Sequence, residues 1–187
     1  MDLFSIKASR HVHKNSNLAE AFTDVICAYV KAIQKAEEIN SRPLKGGLDM
    51  GLRILTGSHA TFISEKIFHG IKQKTPVLNP FELIWEQRHS MGQVLVKNRK
   101  RSFAVWEHTQ PIKEFRENLI RCDSKKEIVD TIHAYPGVAW ISRNENDALN
   151  SLGYQNKRPG GFLRCYEEAG IILLNEQMYK NKAHNKT

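Results

Sequence analysis

The chain has 187 residues, 41% of them hydrophobic and 26% charged, which is enough apolar material to bury a core and too much for a disordered segment. Its 28 Lys and Arg against 20 Asp and Glu leave a net charge of +8, which favours a polyanionic partner, nucleic acid first among them. Three well-separated cysteines, Cys27, Cys122 and Cys165, exclude a disulfide framework or zinc ribbon, and no apolar run reaches the ~18 residues of a membrane span, so a cytoplasmic protein without a membrane partner is expected.

Residues 1–16 are polar and basic, with Arg10, His11, His13 and Lys14 close together, and are expected to form a flexible arm able to touch phosphates. From Ser16 or Asn17, the residues Leu18, Phe22, Val25, Ile26, Tyr29, Val30 and Ile33 recur at helical spacing, predicting an amphipathic helix to about Asn40. Arg42-Pro43 and Gly46-Gly47 are expected to break the pattern. Leu48 to Leu55 reads equally as a short helix or an extended run.

A second long pattern, Phe62, Ile63, Ile67, Phe68 and Ile71, predicts a helix from about Ser58, which is available as its cap. After Pro76 and Pro80, the stretch Phe81 to His89 reads as a short helix ending near Gly92. Glu86 and His89 share one face of it. A single Glu-x-x-His, without the second copy that di-metal carboxylate proteins carry, reads first as surface chemistry.

The next stretch carries the strongest signal. Two apolar runs, Val94 to Val96 and Phe103 to Trp106, flank Lys97, Arg99, Lys100 and Arg101, predicting a β-hairpin with a positive tip suited to phosphates. The second run ends in Glu107-His108, a carboxylate beside an imidazole. That pair is able to act as metal ligand and general base, or it is the polar end of a strand with its two side chains on opposite faces.

Pro111 opens a helical pattern through Ile112, Phe115, Leu119 and Cys122, and Ser124-Lys-Lys-Glu127 has the spacing of a capping box for another helix, stopped at Tyr135-Pro136-Gly137. Val138 to Ile141 is an apolar strand. Ser142-Arg-Asn-Glu145 repeats the capping-box spacing and begins a helix to Gly153. The turn from Gln155 to Gly161 holds two adjacent cations, Lys157 and Arg158. A short helix from Phe162 to Ala169 and an apolar run, Ile171 to Leu174, complete the pattern, with a flexible polar tail at 177–187. These elements predict a single α+β domain over 17–176. It is helical in its N-terminal half, with a small mixed sheet built from 94–96, 103–108, 138–141 and 171–174 and containing the basic hairpin.

The pattern Trp106-Glu107-His108-Thr109-Gln110-Pro111 resembles the opening of the HNH, or ββα-metal, nucleases. The resemblance implies a divalent-metal-dependent endonuclease, using Mg or Mn, with His108 as general base on water and Glu107 as a metal ligand. It also implies a further ligand from the helix after the second strand, for which Asn144, Asn146 and Asn150 are the candidates. Lys97, Arg99, Lys100 and Arg101 would then hold the nucleic acid, DNA before RNA. The sequence departs from the family in placing two helices between His108 and that second strand, and in lacking Cys-x-x-Cys braces.

Two alternatives stay open. A non-catalytic DNA- or RNA-binding protein would use the same basic hairpin, with the helical half serving a homodimer. A metal-independent ribonuclease is suggested by Arg101 and His108, similar to the Arg-x(4–6)-His of the helical HEPN ribonucleases, although that motif belongs on a helix. Nucleotide hydrolysis through a P-loop, NAD chemistry and serine-hydrolase chemistry have no motif here.

Overall fold

The computed structural model describes residues 16–36, 41–56, 60–83 and 103–177. In chain order its elements begin with α1 (Ser16–Lys35), α2 (Ser41–Thr56), β1 (Phe62–Ser64), α3 (Glu65–Lys74) and a 3-10 turn at Pro80–Glu82. They continue with β2 (Ala104–His108), α4 (Ile112–Ile120), α5 (Lys125–His133), β3 (Val138–Ser142), α6 (Arg143–Ser151), α7 (Phe162–Glu168) and β4 (Leu173–Asn175). The class is α+β with a small mixed sheet. The described residues divide into two compact units, those within 16–56 together with 110–136, and those within 60–109 together with 137–177.

The first unit is helical. Ile26, Val30 and Ile33 of α1 recur on one face and pack with Leu48 and Leu52 of α2, Phe115 and Leu119 of α4, and Ile128 and Ile132 of α5. The Phe115 and Tyr135 rings lie 4.5 Å apart, centroid to centroid. Gln34 of α1 donates through Nε2 to the carbonyls of Ile120 (2.8 Å) and Cys122 (3.0 Å), satisfying acceptors that the end of α4 would otherwise leave open.

Helix α2 runs through the residues expected to break it. Pro43 falls in its first turn, where the missing N–H has no intrahelical partner to lose. Gly47 lies against Tyr29, and a Cβ there would come within 2.8 Å of the ring. The glycine therefore marks a close approach of α2 to α1 and not a chain break. Helix α1 ends at Lys35, short of the expected Asn40, and 37–40 lie outside the described residues.

The second unit holds the sheet, in the order β2-β3-β1-β4. β1 is parallel to β3 and antiparallel to β4, and β2 is antiparallel to β3. Ala104 to His108 and Val138 to Ser142 form strands as expected. The last strand is Leu173–Asn175 instead of 171–174. Strand β1 corrects the expected helix from Ser58: the cap of α3 is Ser64, whose hydroxyl accepts from the Ile67 N–H. Phe62 and Ile63 are apolar because they face opposite sides of an interior strand, and that doublet runs on into the apolar face of α3 without a change of composition.

Two helices start where parallel strands stop. Ser142 caps α6 with the expected capping box, and the Glu145 carboxylate accepts from the Ser142 N–H at 2.6 Å and from the Ser64 hydroxyl at 2.9 Å. One carboxylate thus joins the ends of β1 and β3. Ile67, Phe68 and Ile71 of α3 cover one face of the sheet with Ile63 and Trp140, while Leu149 of α6 and Tyr166 of α7 cover the other with Phe62, Ala139 and Ile141.

Among the described residues, no helix is long and apolar enough to cross a membrane. The first arm of the expected hairpin, its basic tip Lys97, Arg99, Lys100 and Arg101, and the Glu86/His89 pair lie outside the described residues.

Candidate functional site

Strand β2 sets the orientation of the two residues singled out by the sequence. It pairs with β3 in the register Val105–Ile141, Trp106–Trp140, Glu107–Ala139 and His108–Val138. Side chains alternate across a strand, and directly paired residues share a face. Val105 packs with Ala139 and Ile141 on the side covered by α6 and α7, so Glu107 lies on that side. Trp106 packs with Trp140 on the side covered by α3, so His108, half-buried, lies there. The sheet separates the carboxylate from the imidazole.

Glu107 has a specific partner. Its Oε1 accepts from a guanidinium nitrogen of Arg158 at 2.8 Å. The Arg158 side chain is 2% exposed and that of Glu107 23%. A buried guanidinium requires a counter-charge because of its desolvation cost, and Glu107 supplies one. The segment between α6 and α7 delivers Arg158, followed by Pro159 and by Gly160 and Gly161, both at positive φ (74° and 94°), a conformation that glycine adopts without the Cβ penalty. Arg158 in turn lies over the Tyr166 ring, 5.8 Å from its centroid, within the range of a cation–π contact.

Tyr166 is 1% exposed. Burial, and after it the negative charge of Glu107, push its hydroxyl well above the usual tyrosine range, with Arg158 acting in the opposite direction. The hydroxyl therefore stays protonated where an unfolded tyrosine ionises. Folding stability carried by this group is complete below pH ~10 and falls as pH rises above it. In a tyrosinate absorbance titration, the native parent and the Tyr166→Phe variant are expected to release the same number of protons up to about pH 11. A parent that releases one more in that range would contradict this placement.

The remaining candidate ligands do not join Glu107. Helix α6 begins after Ser142, which pairs with Ala104 at the opposite end of β2. Glu107 pairs with Ala139, three residues back along β3, or about 10 Å at the usual strand rise. Asn144, exposed, and Asn146, half-buried, lie in the first turns of α6 at that far end, and Asn150, exposed, lies in its last turn. Glu107, Asn144 and Asn146 thus do not converge as a ligand set for Mg or Mn, and Glu107 already answers an internal cation. Among the described residues, no group of three or more His, Cys, Asp or Glu is placed to hold a metal ion.

Arg158 and Tyr166 are the residues of this site that sequence reasoning missed. Arg158 follows Lys157 in a polar turn, as a solvated cation would, and its partner lies 51 positions away. No local spacing connects them.

No protein-family model matches the chain, and no curated protein or solved structure matches it.

Proposed function

We propose that this chain is a cytoplasmic nucleic-acid-binding protein that holds the phosphate backbone through its basic side chains, without requiring catalysis. The observation that carries this reading is the charge: 28 Lys and Arg against 20 Asp and Glu, with four of the cations at Lys97, Arg99, Lys100 and Arg101. Glu107 supports it indirectly, because a carboxylate neutralised inside the fold neither repels a phosphate nor stands beside His108 as a partner in chemistry. Duplex DNA is the preferred form, since its major groove admits a two-stranded ribbon of the kind the sequence predicts around 97–101, whereas that of duplex RNA is too narrow.

Retention of labelled DNA across a KCl series tests the reading. Each phosphate contact contributes about −0.9 to the slope of log affinity against log salt. Replacing the four basic residues by Ala is expected to weaken binding and flatten that slope by about 3 to 4. Retention insensitive to salt, or unaffected by the replacement, would contradict it.

A second reading, a divalent-metal-dependent endonuclease with His108 as base, is favoured by one observation. The order β2, antiparallel β3, then α6 is the strand–strand–helix order of the ββα-metal nucleases that the Glu107-His108 pattern resembles. The separation of Glu107 from His108, Asn144 and Asn146 weighs against it and makes binding the first reading.

A further inference from the structure

The helical unit contains a cleft. Its volume is about 410 Å³, and Lys45 of α2 with Arg116 and Arg121 of α4 and its end line it. Ile33 and Ile120 contribute apolar wall. We propose that this cleft binds a small molecule carrying a phosphate monoester, of about mononucleotide size.

The side chains lining the cleft favour an anion. Among the described residues that line it, Lys45, Arg116 and Arg121 stand against one acid, Glu117. Arg116 is held by Asp49, Nη1 to Oδ2 at 2.6 Å, and is 15% exposed, so its guanidinium is fixed before any ligand arrives. Its Nε is buried without a hydrogen-bond partner, as is Oδ1 of Asp49. A phosphate oxygen in the cleft would accept from the Lys45, Arg116 or Arg121 side chains that line it, and such charge-assisted bonds are stronger than neutral ones. Ser41, the first residue of α2, also lines the cleft, and the first turn of α2 holds no acidic residue. The positive end of the helix therefore adds to the cations of the cleft.

Size separates this ligand from a duplex. Small-molecule pockets run from ~300 to 1,000 Å³, and this one is at the small end. A phosphate with one apolar or aromatic group fits the mixture of cations and isoleucines. A phosphate monoester is offered by a free nucleotide and by the 5′ end of a strand, and the cleft's chemistry is the same for both.

Thermal unfolding of the full chain at constant ionic strength, with AMP, inorganic phosphate or adenosine, tests the proposal. AMP is expected to raise Tm in a saturable way, phosphate more weakly, and adenosine not at all. Lys45→Ala/Arg121→Ala is expected to weaken AMP binding about tenfold or more, and Glu117→Gln to tighten it about threefold. Lys66→Ala/Lys74→Ala, in the other unit, controls for general loss of charge and should bind AMP like the parent. Competition by a 5′-phosphorylated oligonucleotide but not its 5′-hydroxyl form would identify the strand end as a source; competition by neither would assign the site to free nucleotides. No saturable shift with AMP, an equal shift with adenosine, or an unchanged affinity in the Lys45→Ala/Arg121→Ala variant would overturn the proposal. The outcome is independent of DNA retention, which the substitutions at 97–101 address.

Discussion

Glu107→Gln is expected to destabilise the sheet-bearing unit by about 3 kcal/mol, the lower end of the range for removing one partner of a buried ion pair. Arg158 remains 2% exposed in the variant but has lost the carboxylate at 2.8 Å; the amide offers it a weaker acceptor and no charge. Because Glu107 itself is 23% exposed, solvent recovers part of the loss, and the larger figures in that range do not apply. The double variant Glu107→Gln/Arg158→Met should recover at least half of the deficit, because the buried charge that Glu107 balanced is then gone as well. Urea unfolding followed by tryptophan fluorescence checks both, with Trp106 and Trp140 packed in that unit. A Glu107→Gln cost below about 0.5 kcal/mol would place Glu107 among ordinary surface residues.

Gly137→Ala is expected to be as damaging, at about 4 kcal/mol. Gly137 has φ of 105°, and a Cβ there would fall 1.9 Å from Oγ1 of Thr61 and 2.8 Å from its Cβ. The new methyl therefore meets strain and a clash together. Its carbonyl also accepts from the Thr109 N–H (3.1 Å) and hydroxyl (2.6 Å), bonds that hold the end of β2 against the start of β3. Any shift of residue 137 is transmitted to Glu107 and His108. Urea unfolding again supplies the measurement, and a cost under about 1 kcal/mol would contradict the account, being no more than an ordinary point substitution.

The parts of the fold that the sequence made legible are those determined by neighbours in the chain. Ser142 and Glu145 announce α6 because both halves of a capping box lie within four residues, and the structure contains both bonds. Ser124 accepts from the Glu127 N–H as its spacing implies, although the Glu127 carboxylate takes the Asp123 N–H instead of closing the box. The alternation of β2 carried real information too, since it left open the placement of Glu107 and His108 on opposite faces. What stayed hidden depends on distant residues. Nothing beside Gly47 reveals that Tyr29 will lie against it, nothing beside Phe62 and Ile63 reveals two sheet neighbours, and nothing beside Arg158 reveals Glu107. The Glu-His doublet looked like a site because adjacency in sequence suggests adjacency in space, which a strand denies.

Glu107 serves the fold through Arg158, and the chain is proposed to bind nucleic acid without cutting it. Labelled single- and double-stranded DNA and RNA, incubated with the parent and with a folded His108→Ala variant in Mg²⁺, Mn²⁺ and EDTA, test it most directly. Intact nucleic acid is expected in every lane, with salt-sensitive retention that is equal in the two proteins and indifferent to chelator. Metal-dependent cleavage by the parent that disappears in His108→Ala would contradict it and establish the endonuclease reading in its place.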